Sequence, residues 1–333
     1  LWCFPEFQNA VRQGVTTEIV GNCGYSMKHS LGNVPFDSSA DGITSVYDLF
    51  GTGESVPKGA MAAVLDKAQK LQTSVNLAWL CGHNDLRIIA GVSAKEATPE
   101  QFSVMEDFLR EALDAGFIGL STGLEFDPGV NSEPEEIERL AKIVAEYDAN
   151  YCSHMRDEGT YILEAVDEFL NVIRKTGIRG TVSHLNVKYD NGIPNEYLQK
   201  SMQKLWDARE KEHLHVYADM LPTCFASGMA MAILPPWLYA DGIEKVKQTL
   251  SSPEGRARVR NDLDRYWRFL GNGQWDRLIN ITADYLPQYA GMSFKEIVNE
   301  MGKEPVECFL DLIAAAPSME ALRAIEMQAN VFH

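Results

Sequence analysis

Residues 14–26, GVTTEIVGNCGYS, decide the fold. The β-branched and apolar positions run to Val20 and stop at Gly21, with Cys23 held between Asn22 and Gly24. A run of this kind is a short strand whose end turns sharply, because glycine reaches backbone conformations that other residues avoid. The pattern recurs in VNLAWLCGH (75–83), GFIGLSTGL (116–124), NYCSHMRD (150–157), RGTVSHLN (179–186) and LHVYADM (214–220), each a strand closing on polar residues. Between these strands lie helical periodicities. In TPEQFSVMEDFLREALDAG (98–116), Thr98 can cap, Phe102, Met105, Phe108, Leu109 and Leu113 keep one face, and Gly116 ends the helix. TYILEAVDEFLNVIRKTG (160–177) repeats that arrangement. Strands alternating with helices in this way predict βα units around a parallel sheet, with apolar strands because both faces are covered.

The chain of 333 residues is 45% hydrophobic, enough for one large barrel domain spanning 1–333. Residues 37–60 read as a loop, and residues 225–275 as a mostly helical insertion after the sixth strand. A net charge of −17 argues against a nucleic-acid groove, which needs clustered Lys and Arg. Apolar runs fall short of the ~20 residues that span a bilayer, and the first residues lack the basic start of a signal peptide, so the expected location is cytoplasmic. The six cysteines are scattered, without C-x-x-C, which disfavours a disulfide framework.

In a parallel barrel, chemistry gathers where strands end. The residues closing the runs are Cys23, His83, Ser121 and Thr122, His154 and Arg156, His184, and Asp219. His154 and His184 are one βα repeat apart and occupy the same relative position. Two imidazoles from neighbouring strand ends and a thiolate from across the mouth form a donor set for a borderline-soft ion, Zn²⁺ first, with positions left open for water and substrate. Taken singly, a buried Cys or a hydrogen-bonded strand-end His is structural; the three together favour a metal site.

With GLSTGLEFDPG, SHMRDEG, SHLN, ILPPWL and GMSFKEI, the chain resembles the D-aminoacylase (N-acyl-D-amino-acid deacylase) group of the amidohydrolase superfamily. The resemblance implies a (β/α)₈ TIM-like barrel of the amidohydrolase type, hydrolysis of amide bonds with Zn²⁺, and Cys23, His154 and His184 as one tight metal site, with a second, weaker one left open. It also implies that the family's first strand, with its H-x-H pair, and its eighth, with an aspartate general base, fall outside Leu1–His333. The chain is then either an excerpt or a shortened relative with an open barrel. The expected substrate is a small N-acylated amino acid, most readily a D-amino acid. A cyclic-amide hydrolase, a dipeptidase and a non-catalytic metal-binding barrel or inactive fragment are the alternatives.

His83, Ser121, Arg156, Asn186 and Lys188 are the candidate substrate-binding residues. Asn186 stands where relatives often carry a lysine, with Lys188 nearby, and Phe126, Leu221 and Thr223 stand where tyrosines are expected. Arg156 has an ion pair with Asp157 or Glu158 as its structural alternative. Two motifs read as decoys. His213 and His215 form an H-x-H that opens the sixth strand, at the barrel's bottom. GLSTG matches a nucleophile elbow, yet a loop with Pro128 and Gly129 follows in place of a helix, so Ser121 is better placed lining the pocket.

Overall fold

Apolar runs bounded by glycine do become strands. A computed structural model describes residues 5–26, 59–92, 95–188, 193–194, 196–263 and 265–331. The loop read over 37–60 lies outside the described residues except at Gly59 and Ala60. The chain divides into two compact units: the first comprises Leu1–Arg156, Ile162–Leu185 and Gln199–Met220, the second Asp157–Tyr161, Asn186–Leu198 and Leu221–His333.

The first unit carries β1 (Thr17–Val20), β2 (Asn76–Gly82), β3 (Gly119–Gly123), β4 (Asn150–His154), β5 (Arg179–Val182) and β6 (Val216–Ala218). They pair in parallel and in chain order. Parallel neighbours need long crossovers, which are supplied by helices α1 (Ala60–Lys70), α2 (His83–Ile89), α3 (Pro99–Ala115), α4 (Pro134–Glu146), α5 (Ile162–Thr176) and α6 (Glu196–Lys211). Sequential parallel order is the pattern of a (β/α) barrel over six strands. All five residues of β3 are buried, as a strand covered on both faces requires. The register sets Gly82 beside Ser121 and Gly123 beside His154, which brings successive strand ends level.

Helix α3 forms where the periodicity placed it. Thr98 accepts from the Gln101 amide at 3.2 Å and Gln101 reaches back to the Thr98 amide at 3.0 Å, a reciprocal cap that satisfies two end donors. Phe102, Met105, Leu109, Ala112 and Leu113 are buried, Phe108 only half so, and Gly116 closes the helix in the left-handed region at φ 111°. In α5 the buried face includes Val166, Phe169, Leu170 and Ile173, and Phe169 stacks on Tyr151 of β4 at 5.7 Å.

The second unit differs from a helical insertion in a single barrel domain. Its strands β7 (Phe225–Met229), β8 (Leu278–Thr282) and β9 (Glu326–Asn330) form an antiparallel sheet in the order β7-β9-β8. Residues 225–275 are largely helical after β7, with α7 (Ile243–Leu250) and α8 (Pro253–Asn261), but β7 itself pairs with β9 a hundred residues later. Beyond β8 come α9 (Phe294–Met301) and α10 (Pro305–Ala314), whose Phe294 and Phe309 pack against Trp275 at 6.0 and 5.3 Å. Such an aromatic cluster gives the unit a core of its own. Among the described residues, no helix is long and apolar enough to cross a membrane.

Candidate metal centre

The loop after β1 carries Cys23 at φ 56°, flanked by Gly21 at φ 86° and Gly24 at φ 78°. A side chain at Gly24 would lie 2.7 Å from the Gly123 amide, so glycine is required for the loop to approach β3 this closely. His184, two residues past β5, also has positive φ, at 40°. Its amide donates to the Asp219 carboxylate, which closes β6, so the end of one strand orients the ligand loop of its neighbour.

Cys23 Sγ lies 3.3 Å from His184 Nε2, and His154 Nδ1 lies 3.1 Å from the same nitrogen. The three donor atoms all lie within 4.8 Å of one another. For comparison, tetrahedral zinc with ordinary bond lengths separates two nitrogens by about 3.3 Å and a sulfur from a nitrogen by about 3.5 Å. A thiolate with two imidazoles in this spacing therefore fits a borderline-soft divalent ion. The far side of His154 agrees: Nε2 is 2.8 Å from Glu125 Oε2, an arrangement that in the neutral ring keeps the proton on Nε2 and puts the lone pair on Nδ1, the atom beside His184. Phe126 packs on the same imidazole, ring centres 4.5 Å apart. Burial pushes the Cys23 thiol up, but hydrogen bonds from His154 and His184 and their positive charge outweigh it and bring the thiol down to about 6.

The remaining candidates are engaged elsewhere. His83 is fully buried, its Nε2 2.6 Å from Glu136 Oε1, and the same carboxylate takes two bonds from Arg87 at 2.7 and 2.8 Å. Ser121, expected to line the pocket, is fully buried with its hydroxyl bonded to the Cys23 loop. Arg156 pairs with Glu168 of α5, at 2.9 Å. Asn186 and Lys188 belong to the second unit. Asn186 Oδ1 accepts the Leu221 amide at 3.0 Å, while Lys188, 2% exposed, pairs with Glu158 at 3.2 Å with its ammonium 4.0 Å from the Tyr266 ring. His213 and His215 precede β6, at the end opposite Asp219. No helix follows Ser121 directly; β3 leads to a 3₁₀ turn at Gly129–Asn131 and then α4. Glu125 and Glu136 went unassigned in the sequence reading, although Glu125 sits inside the GLEFDPG segment that carries the family resemblance.

Comparison with known proteins points the same way. Over 182 residues the chain is 35% identical to an N-acyl-D-glutamate deacylase of Alcaligenes xylosoxydans xylosoxydans, covering 54% of this chain and 35% of that protein. It is 31% identical over 189 residues to a D-aminoacylase of the same organism, covering 56% and 36%. Over these stretches the chain is similar in sequence to both deacylases. It spans about a third of the length of these curated relatives. Its fold is shared with solved deacylases over a little more than half of their length. An N-acyl-D-glutamate deacylase from Bordetella bronchiseptica, solved with zinc and a phosphonate mimic of the tetrahedral intermediate, superposes with a TM-score of 0.65 at 24% identity, over 99% of this chain and 57% of that one. A D-aminoacylase described by its binuclear metal centre gives 0.65 at 22% identity, over 97% and 56%. No family model matches the chain.

Proposed function

We propose that the protein is a zinc-dependent amide hydrolase that removes the acyl group from N-acyl-D-amino acids. The observation that carries this reading is the convergence of Cys23 Sγ, His154 Nδ1 and His184 Nε2 at strand ends, with Glu125 holding the outer nitrogen of His154. Zinc, when bound, supplies Lewis acidity at the scissile carbonyl and a water acidic enough to ionise near neutral pH.

The chain's own residues prepare that site. Glu125 fixes the His154 proton on Nε2, so that Nδ1 presents a lone pair without a tautomer change. Asp219 anchors the His184 amide, which leaves its carboxylate a poor candidate for the general base. Three protein donors account for one tight site and leave room for substrate, as a catalytic zinc requires. A cytoplasmic setting goes with this reading, supported by the free buried thiols of Cys81 and Cys308.

The test is metal content after dialysis together with turnover of N-acetyl-D-amino acids, N-acetyl-L-amino acids, hydantoins and dipeptides. Wild-type protein is expected to hold zinc and to prefer the D-acylated substrates, and Cys23→Ala to lose both properties. Retention of zinc and activity by that variant rejects the site. Turnover confined to hydantoins or dipeptides rejects the substrate, and zinc without any turnover rejects catalysis.

A further inference from the structure

We infer that Ser121 and Asp85 are positioning residues that hold Cys23 in its metal-capturing conformation, an inference that rests on the zinc reading above. Ser121 is fully buried and bridges the Cys23 loop at two points: its Oγ accepts the Gly24 amide at 3.1 Å and donates to the Gly21 carbonyl at 2.5 Å. These two contacts lie on either side of Asn22 and Cys23. Asp85, 4% exposed, grips the loop one step further on, its Oδ2 accepting the Ser26 amide at 2.6 Å and the Ser26 hydroxyl at 3.1 Å. The Ser26 hydroxyl in turn accepts the Gly82 amide at 2.9 Å, and the Gly24 carbonyl accepts the Asn84 amide at 2.9 Å.

The need for such a clamp follows from the backbone. Cys23 sits at φ 56°, a left-handed conformation that a cysteine does not adopt without outside support. Ser121 and Asp85 supply it from β3 and α2, and the register that pairs Gly82 with Ser121 brings the two grips together. Without the Ser121 hydroxyl, the buried Gly24 amide and the half-buried Gly21 carbonyl lose this partner, and the loop recovers hydrogen bonds by leaving the left-handed region. Sγ then moves away from His184 Nε2. The thiolate–metal bond tolerates only a few tenths of an ångström of such movement.

The experiment uses the metal-free protein, chelator-competition titration with zinc, and the thiolate-to-metal absorption band of the cobalt(II) form. Ser121→Ala and Asp85→Ala are expected to weaken zinc binding about 10- to 100-fold and to diminish the cobalt–thiolate band, with far-ultraviolet circular dichroism unchanged. Ser121→Thr, which keeps the hydroxyl, is expected to restore much of both. A role confined to fold stability would lower the melting temperature and leave the affinity and band of the folded protein alone, and that result overturns the inference. Should Ser121→Ala fail to fold, Asp85→Ala and Ser121→Thr decide between the same outcomes. The two readings fail separately: absence of the band in wild type removes the zinc site, whereas a wild-type band that persists unchanged in the variants removes only the clamp.

Discussion

In the first unit, Arg87, His83 and Glu136 form a charged cluster with side chains 0%, 0% and 7% exposed, whereas in the second, Arg256 shares Glu307 and Asp311 with all three between 21% and 23% exposed. Both clusters tie one helix to another, α2 to α4 in the first case and α8 to α10 in the second. They differ in what water can do. A half-wet carboxylate that loses its arginine is rehydrated, but a sealed arginine that loses its carboxylate keeps its full desolvation penalty. The sealed cluster also anchors α2, the helix whose Asn84 and Asp85 hold the Cys23 loop, so rigidity there is coupled to the ligand set.

The largest expected effect tests this contrast directly. Glu136→Ala should lower unfolding stability by about 3–5 kcal/mol in chemical denaturation, since it removes the carboxylate that Arg87 and His83 share in a sealed site. Glu307→Ala in the second unit should cost only about 1 kcal/mol or less. Equal losses from the two substitutions would abolish the distinction.

A smaller effect follows from acid. Burial holds the His83 ring below its ordinary 6.5, against the pull of Glu136. Burial raises the Glu136 carboxyl, but His83 and Arg87 outweigh it and hold it below its ordinary 4.5. Both folded-state values lie beneath the unfolded ones, so the folded chain binds fewer protons and stability falls as the pH falls. The loss begins below about 6.5 through His83 and continues below about 4.5 through Glu136, at up to about 1.4 kcal/mol per pH unit for each proton. His83→Gln removes the first part. Melting temperatures at pH 7 and pH 5 should therefore differ less in that variant than in wild type; an equal difference would show that His83 does not titrate with unfolding.

The legibility of the sequence followed the range of the interactions. Six parallel strands were readable because each is an apolar run with its polar terminus in the same few residues, and α3 because Thr98, Gln101 and Gly116 are local signals. The convergence of Cys23, His154 and His184 was legible for the same reason: each sits at a strand end, and parallel register levels those ends. The antiparallel sheet was not. β7, β8 and β9 are separated by about fifty residues each, and segments such as FASGM and EMQAN carry little alternation until they are paired. The contacts of Ser121 with the Cys23 loop are not legible, because a strand-end hydroxyl looks the same in sequence whether it faces a pocket or a neighbouring loop. Glu125 and Glu136 were passed over because they lie after β3, where spacing no longer indicates direction.

Two of the three candidate ligands, Cys23 and His184, occupy backbone conformations that suit glycine better than the residues they hold. Chemistry and durability therefore pull against each other at these positions, since a side chain with a β-carbon costs roughly 1–2 kcal/mol there. Cys23→Gly should accordingly unfold at a higher denaturant concentration than Cys23→Ala, by about 1 kcal/mol, although neither has a thiol. If the two side chains do hold a metal, a chain released from binding it would be free to relax toward glycine at both sites.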